Sequence, residues 1–382
     1  MKILFCIATP KTRELGAPKI LLELAEEMEP LGWHCDILCP LDFVSDRYDA
    51  IQVFWNYHLL LRDYLQQHAA DYDVVEYDHG FLPFPRSDFP SQTLFVTRAV
   101  LLAHHFDRIK IPSARSWKSR LRSWLTLGRD DRQRRLTLER APRTVAEADL
   151  VNVANQDDRA ELIRQGIPAE KIVVIPYGMS QSSRPQFDAI PELPPAEPVV
   201  AFVGTFDDRK GAADFPAIVA AIAAQVPAVR FRLLGTARSA DRVLAHFPQR
   251  LRPQIEVVPT YAAADLPQLL TGCAVGIFPS YLESFGFGVL EMLAAAIPVI
   301  AYDAPGPPMM LPPEYLVPPG ETTALAAKVI HLLHHPQELT TARRLARQRS
   351  RQFCWPEIAQ QTSQLYQAFW QKRQVPLSPL PR

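Results

Sequence analysis

The sequence is poor in cysteine, carries no excess charge of either sign and holds no long apolar run. Each of these lacks removes a class of protein. Only five cysteines stand in 382 residues. They lie at positions 6, 35, 39, 273 and 354, with no CxxC pair, so neither a disulfide framework nor a zinc site is implied. Cys35 and Cys39 are four apart but have no second ligand pair nearby. The five read as reduced thiols of a cytoplasmic protein. Lysine plus arginine number 41 and aspartate plus glutamate 41, so global charge makes no case for nucleic acid as a partner. No stretch reaches the ~18 apolar residues of a membrane span. The opening run Met1–Ala8 carries one lysine and is cut short by Pro10, too short for a secretory signal. A soluble protein is expected, or at most one peripheral at the inner membrane face.

What is present is ordinary globular material, 48% hydrophobic and 21% charged, in a chain long enough for two domains. Short β-branched runs alternate with helical periodicity, which predicts an α/β fold with parallel sheets. Strands are expected at Ile3–Ala8, Asp36–Cys39, Ala50–Trp55, Val74–Glu76, Phe95–Thr97, Val151–Ala154 and Lys171–Ile175. A helix is expected over Ala17–Leu31, ending at Gly32. The stretch Gln186–Pro198, with Pro191, Pro194, Pro195 and Pro198, reads as an extended linker. Beyond it the rhythm restarts, with strands at Val199–Val203, Arg230–Leu234, Ile255–Val258, Val275–Phe278 and Pro298–Tyr302. Helix follows from Glu321 to about Arg351 and again from Trp355 to Gln371. The expected domains are thus 1–185, a linker at 186–198, 199–355, and a closing helix and tail at 356–382. Two doubly wound domains joined this way place their ligands beyond the carboxyl ends of the strands, in a cleft between them.

The most informative segment runs from Phe278 to Met292. A strand ends near Phe278, and a loop with Gly286 and Gly288 leads into a helix. Glycines let the backbone approach a ligand, and the helix start favours an anion such as a diphosphate. Glu283 and Glu291 flank that anion site. Glu291 lies about five residues into the helix, roughly 7 Å along its axis, clear of phosphate and placed to accept from the vicinal diol of a ribose. Glu283 on the loop side suits sugar hydroxyls, since carboxylates accept several charge-assisted bonds. The same residues would also serve as an ordinary helix-entry loop with a capping glutamate.

A second motif, Val203-Gly204-Thr205-Phe206-Asp207-Asp208-Arg209-Lys210-Gly211, occupies the first strand-to-helix turn of the second domain. Gly204 permits a tight turn, and Arg209 and Lys210 are cations placed for phosphate. Alone the pair could be an exposed basic turn. With Glu283–Glu291 on the same domain, the two segments become opposite jaws of one diphosphate clamp.

On these motifs the chain resembles the retaining family-4 glycosyltransferases of the GT-B architecture, two Rossmann-like domains with a C-terminal helix crossing back to the first. The family's two glutamates separated by seven residues match Glu283 and Glu291. Its Gly-Arg…Lys-Gly signature matches Gly204, Lys210 and Gly211. Ala148-Asp149-Leu150, the run Lys171–Gly178 and the helix after Phe353-Cys354-Trp355 are similar to family features too. The likeness is strong from about 145 to 370 and weak before that. It implies retaining transfer from a UDP- or GDP-linked sugar without metal or other cofactor. Glu283 would contact the transferred sugar and Glu291 the ribose. Lys210 with Arg209 would neutralise the diphosphate, aided by Ser284 and the amides near Phe285 and Gly286. Gly235 and Tyr261 would border the base. Thr205 stands where the family usually has arginine, and the resemblance leaves Arg209 to supply that cation.

The first domain says less. Family members often carry a glycine-rich loop after the first strand; here Gly16 is its one glycine. They also place a histidine in the cleft, for which His79, directly after a strand, and His104 of the pair His104-His105 are candidates. Arg98, at another strand end, is a candidate contact for acceptor or phosphate. Between Arg108 and Arg143 stand twelve basic residues against three acids, with Trp117 and Trp124 among them. Such a helix can lie on an anionic membrane surface and suit a lipid-linked acceptor; a solvated helix pair would look the same. Glycan, lipid-linked and small-molecule acceptors all remain open. So do two rivals: a sugar-nucleotide epimerase of the same fold and a catalytically silent nucleotide-binding scaffold.

Overall fold

The computed structural model describes residues 1–12, 16–105, 109–112 and 129–374, the side chains of 17 and 129–134 excepted. The chain divides into two compact units, with breaks after Gly178 and after Cys354. Of the described residues, the first holds those up to 105, 129–178 and 355–374; the second holds 109–112 and Met179–Cys354.

The first unit is built on six parallel strands: β1 (Lys2–Cys6), β2 (His34–Leu38), β3 (Val74–Asp78), β4 (Leu94–Ala99), β5 (Leu150–Val153) and β6 (Ile172–Val174). They lie in the order β2-β1-β3-β4-β5-β6. β4 and β5 are buried at every position, as strands covered on both faces by helices must be. Asp149, just before β5, accepts from the Phe95 amide at 2.8 Å and from Arg86 Nε at 2.9 Å, which fixes where β4 and β5 meet.

Ala50–Trp55 is not a strand. It forms the first turns of the helix Ala50–His68, which buries Val53, Tyr57, Leu61 and Leu65. The spacing of four, not the β-branched Ile51 and Val53, sets the conformation. Asp49 accepts from the amides of Ile51 and Gln52 at 2.8 Å, and Gln52 Oε1 accepts from the Asp49 amide at 3.0 Å. That reciprocal cap starts the helix.

The closing helix Trp355–Gln374 packs on the helix Gly16–Met28 of the first unit. Trp355 is 1% exposed and donates its indole N–H to Glu23, while Trp33 Nε1 donates to Ser363 Oγ at 2.8 Å. Deeper in, Tyr366 reaches a buried ion pair between Glu76 on β3 and Arg98 on β4, donating to Glu76 and accepting from Asn152 Nδ2 at 2.9 Å. Arg373 Nη1 meets Asp149 Oδ1 at 2.6 Å.

The second unit repeats the architecture with β7 (Val199–Val203), β8 (Arg230–Leu234), β9 (Ile255–Val258), β10 (Val275–Phe278), β11 (Val299–Tyr302) and a short edge strand, β12 (Leu316–Val317). The order is β12-β11-β10-β7-β8-β9, and every pairing is parallel. The strand order reverses between β7 and β10, so the loops leaving these two strands emerge side by side.

Gln186–Pro198 differs from the extended linker expected of it. It belongs to the second unit, begins in the short helix Arg184–Asp188 and buries Phe187 and Ile190. Two arginines of the helix Pro336–Ser350 hold its carbonyls. Arg343 donates to Pro191 O and Glu192 O at 3.0 Å and to Cys273 O at 2.7 Å; Arg347 donates to Phe187 O and Asp188 O at 3.1 Å. The prolines lack N–H groups, so this segment presents mostly acceptors, and guanidinium groups satisfy them. The single helix expected over 321–351 is two, Thr322–His334 and Pro336–Ser350, because Pro336 has no N–H to give and forces His335 out of the helical region. Among the described residues no helix is long and apolar enough to cross a membrane.

Arg343→Ala would strand several buried carbonyls at once, each costing about 1–3 kcal/mol. A fall in stability of at least about 2 kcal/mol is expected in urea melts, with Arg344→Ala, one residue on and exposed, close to neutral.

Candidate functional site

In the second unit the loop after β7 and the loop after β10 are zipped together by their backbones. The Tyr281 amide donates to Arg209 O at 2.9 Å, and Arg209 Nη1 donates back to Leu282 O at 2.8 Å. Two glycines permit the approach. A Cβ on Gly211, which sits at φ +81, would lie 2.2 Å from Pro279 O, and one on Gly288 would lie 2.3 Å from Val203 O. Both distances are far inside van der Waals contact. Tyr281 and Tyr302 then donate to Asp214 Oδ2 at 2.6 and 2.8 Å, tying the β10 loop and β11 to the start of the helix Phe215–Gln225.

This packing gathers a compact charge cluster. Lys210 Nζ lies 2.6 Å and Arg209 Nη1 2.8 Å from the same Glu283 Oε1, and Ser280 Oγ donates to that oxygen as well. Lys210 is 9% and Glu283 7% exposed, and the ammonium sits 4.8 Å from the centre of the Phe278 ring. Burial pushes the Glu283 carboxyl up, but the two cations outweigh it and hold it below the ordinary carboxylate range. Burial, reinforced by the neighbouring guanidinium, lowers the Lys210 ammonium despite Glu283. Glu283 is the carboxylate that both cations touch, and Asp207 acts on Lys210 from the same loop.

The helix Phe287–Ala294 opens beside it, with Gly286 at φ +92 preceding its first residue. Only a residue at ease in left-handed backbone turns the chain this sharply. Ser284 and Phe285 are buried in the turn, and a Cβ on Gly306 would lie 2.9 Å from Phe285 O. Tyr261 packs on Gly235, where a Cβ would come within 3.2 Å of the phenol ring. Burial, and then the charge of Glu291, push that phenol well above its usual range, so Glu291, Tyr261 and Gly235 share one neighbourhood. Thr205 is turned away from the cations; its hydroxyl donates to Asp207 Oδ2 at 2.6 Å. Asp207 Oδ1 in turn accepts from the Lys210 amide at 3.1 Å. Ser280, Asp207 and Asp214 were not foreseen from the sequence. Ser280 stands three residues before Glu283, a spacing that could have flagged it; Asp214 is linked only through contacts distant in the chain.

The first-unit candidates are less convergent. His79 is 3% exposed, and its Nε2 accepts from the Ala103 amide at 3.1 Å. The ring proton therefore sits on Nδ1, 3.5 Å from Asp78 Oδ1 and without a hydrogen-bond acceptor among the described residues. His104 is near enough for the two charges to interact. Burial, and then the nearby His79, pull it down to about 4. Its neighbour His105 pairs with buried Asp158 at 2.8 Å. Arg98, expected at an acceptor or phosphate, is 2% exposed and committed to Glu76, which makes it part of the sheet's interior. Gly16 is exposed at the start of its helix, and a Cβ there would meet nothing within 4 Å. Of the basic segment 108–143, residues 108 and 113–128, with Trp117 and Trp124, lie outside the described residues.

Two Rossmann-like parallel sheets, the second with two cations gathered on Glu283 at its switch point, define a GT-B protein, and comparison with known proteins agrees. Sucrose-phosphate synthase from Thermosynechococcus elongatus superposes with a TM-score of 0.71 at 21% identity, covering 97% of this chain and 99% of that one. Anabaena HepE in complex with UDP-glucose superposes with a TM-score of 0.63 at 19% identity, covering 96% and 100%. Residues 16–182 match the model of Glycosyltransferase Family 4, and residues 197–335 match Glycosyl transferases group 1. The chain belongs to the family-4, group 1 glycosyltransferases. A curated relative, the D-inositol 3-phosphate glycosyltransferase of Segniliparus rotundus, is 29% identical over 231 residues, 56% of this chain. The match spans about half, 51%, of that relative's length.

Two outcomes are expected. Gly288→Ala should destabilise the second unit by at least about 2 kcal/mol, since backbone must move to admit the methyl; thermal melts with Gly16→Ala as a neutral comparison check this. For His104, a folded-state value near 4 against 6.5 unfolded means that the unfolded chain binds the extra proton between those values. Stability should fall as pH drops from 6.5 towards 4, and His104→Gln should flatten that slope in melts run across the window.

Proposed function

We propose that the protein transfers a hexose from a nucleoside diphosphate sugar to an acceptor, with retention and without a metal. The observation that carries this reading is the sharing of one Glu283 oxygen by Lys210 and Arg209, at 2.6 and 2.8 Å. Two cations, one buried and one half-buried, that share one oxygen of Glu283 can turn to a further anion, and the helix start at Gly286 adds a favourable dipole. In the donor complex Lys210 and Arg209 take the diphosphate and stabilise it as it leaves. Arg209 supplies the second cation that Thr205 does not. Glu283, released from part of its pairing, accepts from hydroxyls of the transferred sugar and sets its orientation. Glu291 accepts from the ribose diol, and Tyr261 and Gly235 border the base.

A UDP-linked hexose is the favoured donor class, supported by the fold shared with HepE, which binds UDP-glucose. The inositol phosphate glycosyltransferase relative supports a polyol or glycan acceptor; a lipid-linked acceptor, with peripheral membrane contact through 108–143, is the further option. His79, neutral and with its Nδ1 proton unclaimed, is the first unit's candidate for contact with the reacting groups. The protein acts in the cytoplasm.

The test is incubation with UDP-, GDP- and ADP-sugars, with release of nucleoside diphosphate as the readout. Turnover with one donor is expected, and Lys210→Ala should lower kcat by about 100-fold or more. EDTA should leave the rate unchanged. In thermal shift, Glu291→Ala should lose most of the stabilisation by the matching nucleoside diphosphate; an undiminished shift would remove Glu291 from the ribose. Tight nucleotide binding without turnover, acceptors supplied, would instead mark a silent scaffold.

A further inference from the structure

The break between the helices Thr322–His334 and Pro336–Ser350 brings together His331, His335 and Glu338, three exposed residues whose ligand atoms lie within 4.8 Å of one another. Among the described residues this is the one group of three or more histidine, cysteine or acidic side chains arranged so. None of the three belongs to the donor site described above. We propose that they form a surface site for a borderline divalent cation of the Zn2+ class, clamping one helix end to the next helix start.

The local geometry prepares the ligands. His331 stands in the last turn of the first helix and Glu338 in the first turn of the second, and His331 Nε2 and Glu338 Oε2 are 2.8 Å apart. Bonds of about 2.0–2.2 Å to a shared tetrahedral ion separate two ligand atoms by about 3.4 Å, so a small side-chain rotation admits the ion. His335 Nδ1 lies 2.7 Å from the carbonyl oxygen of His331. A carbonyl only accepts, so Nδ1 carries the proton and the lone pair is on Nε2. A second-sphere bond of this kind orients metal-ligating histidines. The two imidazoles stack with centroids 4.1 Å apart, so the His331 ring turns about its side-chain bonds to bring both lone pairs onto one ion. Two imidazoles and one carboxylate favour Zn2+, Cu2+ or Ni2+ over Mg2+ and Ca2+, which prefer all-oxygen sites. Water completes the coordination at this exposed position.

The experiment is calorimetric titration of the EDTA-treated full chain with Zn2+, and separately with Mg2+, alongside His331→Ala, His335→Ala and Glu338→Gln. One Zn2+ per chain is expected, with no Mg2+ binding, and each variant should lose affinity at least ~10-fold. Zn2+ should also raise the melting temperature of the parent chain and not of His335→Ala. All three side chains are exposed, so the apo variants should melt like the parent. Absence of Zn2+ binding to the parent, or Zn2+ affinity unchanged in His331→Ala and His335→Ala, would overturn the proposal.

Discussion

The charged cluster of the second unit depends on two places where backbone touches backbone with no room for a Cβ. Gly211 against Pro279 and Gly288 against Val203 let the loops after β7 and β10 close on each other, and the polar contacts between those loops follow from that approach. With the loops a side chain's width further apart, Arg209 would not reach Leu282 O, and neither cation would sit on Glu283. The switch in strand order supplies the adjacency; the glycines supply the last few ångströms.

The two units use buried charge to different ends. In the first, Glu76 and Arg98 balance one another, and Tyr366 and Asn152 complete their hydrogen bonding. A neutral, satisfied pair ties strands to the closing helix and leaves nothing for a ligand. In the second, Glu283 faces two cations. Holding these charges so close together and so far from water is costly, and ionisable groups shifted in this way cluster at functional sites.

Much of this was legible because the information is local. Glu283 and Glu291 sit on one strand-turn-helix, so their spacing along the chain already encodes their spacing in space, and the same holds for Gly204, Arg209 and Lys210. Five strands of the second unit were readable for a similar reason: β7, β10 and β11 are unbroken apolar runs, β8 and β9 are broken only by Arg230, Arg232 and Glu256, and the two-residue β12 is too short to show. Where sequence reasoning failed, a longer-range partner decided. Ile51 and Val53 look like a strand until the cap at Asp49 and the fourfold spacing to Leu65 are weighed. The proline-rich stretch at 186–198 looks free because the arginines that hold it come some 150 residues later. Asp214 acts through loops that meet only in the folded state, and nothing in its immediate sequence marks it.

The first unit is interrupted in the chain: its sheet is complete by Val174, yet the helix that covers its buried ion pair begins only at Trp355. During synthesis the intervening 179–354 emerges whole and can fold as a contiguous unit, while the first unit waits for its lid. Until Tyr366 leaves the ribosome, Glu76 and Arg98 lack one of their partners and the groove for Trp355 stays open to other apolar segments. Emergence of the helix Trp355–Gln374 is therefore the step that seals the first unit, and a product cut short before it would expose that groove to chaperones and proteases.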